Sequence, residues 1–144
     1  MKKLLMAGAM SLIAGGLIYA AHSYEEVASV HDIMENVQKP AMDALVAMTK
    51  AGGPQNDDDW KKAKANASIL AESTQLLLMG SRVKDDVWTT GANRVIDGAK
   101  KSVAASDSKN LDAWKSAGGT MGGGCRGCHK VHKPKEEAKE EAKK

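Results

Sequence analysis

Phenylalanine is missing from the chain altogether, and aromatic residues of every kind make up only 3% of it. A chain so poor in large rings must find its core volume elsewhere. Helices packed closely on alanine would supply it, and so would a bulky group buried between helices. Cysteine is as scarce. Only Cys125 and Cys128 are present, and a disulfide between them would close a very short loop and stabilise little. No stretch alternates apolar and polar residues as a half-buried strand does. The strand–turn–helix setting of a thioredoxin-like dithiol is therefore lacking. Excess charge is lacking too. The formal charge of +3 falls to +1 once Lys2 and Lys3 are subtracted with a leader, so nucleic acid is not a supported partner. No paired acid and base and no nucleophile–base set stands out, and the chain is not expected to be an enzyme.

What is present begins with a leader. Lys2 and Lys3 precede a run, residues 4–21, that is apolar or small apart from Tyr19. Ala21-His22-Ser23 offers the small residues a signal peptidase reads, which puts cleavage before Tyr24. Residues 1–23 are thus expected to be a secretory signal, and export of such a chain points to a bacterial periplasm. The alternative is an uncleaved anchor, weak because of its many Gly and Ala residues; membrane contact is expected only in that case. The remaining chain of about 120 residues suffices for one domain with one core. That domain is placed at residues 24–133. The charged end that begins at His132 has no apolar stripe, and residues 134–144 are expected to form a flexible charged tail without a site.

Four helical patterns follow. From Tyr24 to Lys50, Val27, Val30, Met34, Val37, Ala41, Leu45 and Met48 recur at spacings of three and four. Pro40 predicts a kink or a break within that helix. After Gly52-Gly53-Pro54, Asp57-Asp58-Asp59 opens a second helix whose inward face runs from Trp60 through Ala63, Ala67, Leu70 and Thr74. Asp85 and Asp86 open a third with Trp88, Ala92, Val95, Ile96 and Ala99 inward. In the fourth, Leu111, Trp114, Ala117, Met121, Cys125 and His129 keep helical spacing. Short turns between such helices predict an all-α, antiparallel up-down-up-down four-helix bundle.

Both cysteines lie in Cys125-Arg126-Gly127-Cys128-His129, the Cys-x-x-Cys-His attachment pattern of c-type haem. Two thiols three residues apart share one side of a helical turn, where each can add to a haem vinyl group. The adjacent histidine then offers a ring nitrogen to the iron. Zinc held by Cys125, Cys128, His129 and His132 is the competing reading, but four ligands within eight residues are too cramped to surround a tetrahedral ion unaided. The pattern sits on the inward face of the last helix, so a haem would lie near its C-terminal end and face the core. Gly118, Gly119 and Gly122 to Gly124 are read as room for a flat ring and for neighbouring helices; a loosened helix or a break near Gly122 is the alternative.

A single haem motif near the C-terminus of such a bundle resembles the class II cytochromes c, the cytochrome c′ and cytochrome c-556 group. The likeness covers roughly residues 24–133. It implies one haem c bound through two thioethers to Cys125 and Cys128, with His129 as proximal iron ligand. It also places the distal position in Val30-His31-Asp32-Ile33-Met34, where Met34 matches the methionine ligand of c-556-like members. In the bundle the start of helix one and the end of helix four share one end, which agrees. His31 is the rival ligand. The family's aromatic and arginine after the haem histidine are replaced by His132 and Lys133, and Lys133 would balance a haem propionate only as a point charge. Met42, Met48, Met79 and the tryptophans are read as core, with Trp114 or Met121 beside the haem. The implied function is electron transfer with periplasmic redox partner proteins by Fe(II)/Fe(III) cycling. The alternative is a five-coordinate protein that binds nitric oxide or carbon monoxide. A homodimer stays open.

Overall fold

In the first helix, Ser29 and Asp32 cap one another. The Asp32 N–H donates to Ser29 Oγ at 3.0 Å, and the Ser29 N–H donates to Asp32 Oδ2 at 3.3 Å. This reciprocal box starts helix α1 (Val30–Ile33) six residues later than the apolar spacing predicts. Residues 24–28 form no helix, and Val27, expected on the inward stripe, is 88% exposed. They are held instead by the turn at Gly80–Arg82: Arg82 Nη2 donates to the Ala28 carbonyl at 2.7 Å, Arg82 Nη1 donates to the Tyr24 hydroxyl, and the Ser81 hydroxyl donates to Glu26 at 2.6 Å. The computed structural model describes residues 24–133; the expected signal at 1–23 and tail at 134–144 lie outside the described residues.

Pro40 neither breaks nor ends the first helix. A π turn, Met34–Gln38, separates α1 from α2 (Lys39–Lys50), and the Lys39 N–H reaches the Met34 carbonyl five residues back. The proline ring crowds the carbonyl four residues before it, and a wider turn moves that carbonyl aside. Val37, expected inside, is 41% exposed, whereas Gln38 is half-buried and Ala41 and Leu45 are buried.

The other three helices start where the sequence places them. Asn56 Oδ1 accepts from the Asp59 N–H at 2.9 Å and begins α3 (Asp57–Leu76). Asp85 accepts from the Trp88 N–H at 2.9 Å and begins α4 (Asp86–Asp107). Asn110 accepts from the Ala113 N–H at 2.9 Å and begins α5 (Leu111–His132). α5 runs unbroken through all its glycines. Each helix packs on its neighbour in the chain, α5 on α4, α4 on α3 and α3 on α2, and among the described residues there is no strand. The fold is all-helical and bundle-like. No described helix is long and apolar enough to cross a membrane.

Two clusters make the core. The larger holds Ala41, Leu45, Ala63, Ala67, Leu70, Ala71, Ala99, Ala105, Trp114 and Met121. The smaller holds Ile33, Leu77, Trp88 and Cys128. Alanine and glycine let the helices close on one another. A Cβ on Gly98 of α4 would lie 2.7 Å from the Met121 nitrogen, and one on Gly124 of α5 would lie 2.7 Å from the Gly91 carbonyl oxygen. Gly124 thus serves helix contact, while Gly118 and Gly119, expected to make room in the same way, face open space.

Candidate functional site

The last turns of α5 carry Cys125, Cys128 and His129 on a regular helical backbone, and the Lys133 N–H closes the final turn on the His129 carbonyl at 3.1 Å. Spacing alone therefore sets their directions. Cys128 is buried and packs with Ile33, Leu77 and Trp88, while Cys125, one turn earlier, is half-buried. Both thiols are free. Burial pushes both up from the ordinary cysteine range; for Cys125 the neighbouring Cys128 adds to it, and for Cys128 the Asp85 carboxylate does so against the pull of Lys84. A dithiol exchange site needs the opposite shift, since the thiolate is the reactive form. This pair is suited to stay protonated until something is bonded to it.

Beside the motif lies a cavity of about 450 Å³. The first helix forms one wall with Val30, His31, Met34 and Gln38, and α5 faces it with Cys125, His129 and His132. Trp88 and Lys84 also border it. A narrower recess of about 30 Å³ touches Met34, Gln38, Cys125, Cys128 and His129 together. The four residues singled out in the sequence thus border one hollow, although Met34 lies about ninety residues from the motif. His31 borders the larger cavity and is exposed. His129 is exposed along the cavity face. Trp114 and Met121, expected beside the haem, belong to the alanine-rich cluster and border neither hollow.

No protein-family model, curated protein or solved structure matches the chain. The site is therefore weighed on its own chemistry. Two protonated thiols one helical turn apart, an imidazole next to the second, and a thioether across a hollow of ligand size fit a covalently held haem. Zinc fits less well, because the described residues contain no group of three or more His, Cys, Asp or Glu side chains that could hold a metal ion.

Three residues of this wall take roles that the sequence did not give them. His132, weighed only as a zinc ligand and as the replacement of the family's aromatic, stacks edge-on to Trp88 with ring centres 5.5 Å apart, and its Nε2 lies 3.0 Å from Asp85 Oδ1. Lys84 Nζ lies 4.8 Å from the centre of the Trp88 ring, and the indole N–H donates to the Leu77 carbonyl at 2.8 Å. Trp88, read only as core, therefore ties the start of α4 to the end of α5. Gln38 is the third. A stripe drawn at constant helical period passes through it, four residues after Met34 and three before Ala41, and only its polarity kept it off the apolar pattern.

Proposed function

We propose that this chain is a periplasmic c-type cytochrome of the class II kind, which carries one haem and passes electrons between redox partner proteins. The observation that carries the reading is the shared hollow, in which a Cys-x-x-Cys-His turn meets a methionine from the far end of the sequence. Cys125 and Cys128 would each form one thioether, with the thiol hydrogen passing to the vinyl group as sulfur bonds carbon, and so hold the ring in register with α5. His129 would supply the proximal nitrogen, and Met34 the distal thioether. Bound haem supplies the one-electron Fe(II)/Fe(III) couple. The chain's part would be to hold His129 and Met34 in place through that change, so that little rearranges when an electron moves. Trp88 and the apolar side chains around Cys128 would keep water from one flank, and Lys84 and Lys133 bring positive charge to the cavity wall, suited to the ring's carboxylates. An antiparallel up-down-up-down course is the arrangement that short connections between sequential neighbours favour, and it supports the meeting of Met34 with His129.

The test is the purified holoprotein, made where cytochrome c maturation is active. Its intact mass is expected to exceed that of the chain beginning at Tyr24 by one haem. The ferric spectrum is expected to be low-spin with a thioether-to-iron charge-transfer band in the far red. Met34→Ala is expected to remove that band, lower the reduction potential and admit carbon monoxide. A wild-type mass without haem overturns the reading. A band that survives Met34→Ala transfers the distal role to another residue, His31 first.

A further inference from the structure

The first helix brings to the cavity a polar group that axial ligation does not require. Gln38 lies one turn beyond Met34 on the same wall and borders both hollows. Its Nε2 lies 3.1 Å from Thr74 Oγ1, and Thr74 Oγ1 lies 2.6 Å from the Leu70 carbonyl oxygen. A carbonyl only accepts, so the single hydroxyl proton of Thr74 goes to Leu70. Thr74 Oγ1 must then accept from Gln38, which settles the orientation of the carboxamide: its nitrogen is turned to Thr74. Thr74 is 2% exposed on the core face of the last turn of α3, so the anchor is buried. An amide nitrogen carries two hydrogens, and this bond uses one.

We infer that Gln38 is a distal hydrogen-bond donor for a polarised diatomic ligand, of the nitric oxide or dioxygen kind, taken up at the iron when Met34 leaves it. The inference rests on the haem reading above. Its chemical basis is that such ligands gain negative charge on their outer atom when bound, and a fixed N–H in a partly desolvated wall stabilises that charge. Carbon monoxide polarises less and gains less, so Gln38 shifts selectivity toward the polarised ligands.

The experiment compares the Met34→Ala holoprotein with Met34→Ala/Gln38→Leu, both ferrous. The readouts are the infrared C–O stretch of the carbon monoxide adduct and the release rates of carbon monoxide and nitric oxide. Loss of the donor is expected to raise the C–O stretching frequency. It is also expected to speed nitric oxide release by roughly two- to tenfold, the worth of one hydrogen bond, with a smaller change for carbon monoxide. An unchanged stretch and unchanged rates overturn the inference and leave the haem reading standing. Absence of covalent haem overturns both, and absence of any carbon monoxide adduct in Met34→Ala overturns the inference and transfers the distal role to another residue. If the Gln38→Leu protein does not fold, Thr74→Val in the Met34→Ala background probes the same donor through its anchor. An amide released from that anchor is expected to split or broaden the C–O band, and a single unshifted band overturns the inference.

Discussion

Around Trp60, Ala63, Ala99 and Trp114 the helices close on small side chains, and the two indoles meet edge-on with centres 6.5 Å apart. Beside Trp88, at the edge of the cluster of Ile33, Leu77 and Cys128, a hollow of about 450 Å³ stays between the first helix and α5. Neither region has a phenylalanine, so the difference does not come from that residue. In the first region glycine and alanine let backbones approach until little space is left, and packing needs no further volume. In the second the π turn and the late start of α1 shape a wall that stands off from α5, and side chains alone do not fill the gap. A shortage of large residues is harmless where helices can close and leaves a binding space where they cannot. The proposed haem would lie in the second region and reach Leu70 and Met42 at the edge of the first.

The sharpest break of this comparison is removal of the cofactor. In Cys125→Ala/Cys128→Ala, covalent haem is expected to be lost entirely. Amide hydrogen exchange at Val30 to Gln38 and around Trp88 is then expected to speed by at least about tenfold, some 1.4 kcal/mol of local opening. Amides near Ala63 and Ala67 are expected to change far less. Equal loss at both ends would mean that the two clusters form one cooperative unit.

Next in size is a Cβ forced between α4 and α5. Gly98→Ala would bring its methyl to 2.7 Å from the Met121 nitrogen and 3.0 Å from the Ala117 carbonyl oxygen, backbone atoms that cannot rotate aside. Thermal unfolding is expected to show a loss of about 1–3 kcal/mol. Gly119→Ala, on the same helix α5 as Met121 but facing open space, is expected to gain up to about 1 kcal/mol from helix propensity. Opposite signs for two identical substitutions would separate close packing from helix propensity.

The smallest effect is electrostatic. The Trp88 N–H, and then His132, hold the Asp85 carboxyl below its ordinary value of 3.8. At the closed end Lys109 does the same for Asp57 through a 2.8 Å ion pair. A depressed folded value means that the stability each contributes is complete above 3.8 and is lost as pH falls through the lower folded value. Asp85→Asn keeps a capping oxygen but cannot titrate. Its urea midpoint is expected to fall less steeply with acid than that of the wild type. A slope unchanged by Asp85→Asn would put the acid sensitivity elsewhere.

How far the sequence could be read depends on the range of the interaction involved. Asn56, Asp85 and Asn110 cap helices through hydrogen bonds to the N–H three residues on, and Cys125, Cys128 and His129 lie within five residues of one helix. Such local relations follow from covalent spacing, and the three later helices start as the sequence predicts. The capping box of Ser29 and Asp32 was equally local, yet the apolar period that continued back to Val27 masked it. The effect of Pro40 was legible only as a disturbance. Whether a proline breaks, kinks or widens a helix depends on what the flanking segments pack against, and here Ala41, Leu45 and Ile33 are all buried on either side of the π turn.

The sequence alone therefore determined the helical class, the three later caps and the order of the motif along one helical turn, because each follows from residues a few positions apart. Only the tertiary structure decided which distant groups share the cavity with that motif. Gln38 faces it and Val37 does not, although Val37 is the apolar one of the two. Trp88, Lys84 and His132 meet because the start of α4 lies against the end of α5, where Gly91 and Gly124 allow the two backbones to approach. Such meetings depend on accumulated helix phase and on contact between segments forty or more residues apart, and no local spacing encodes either.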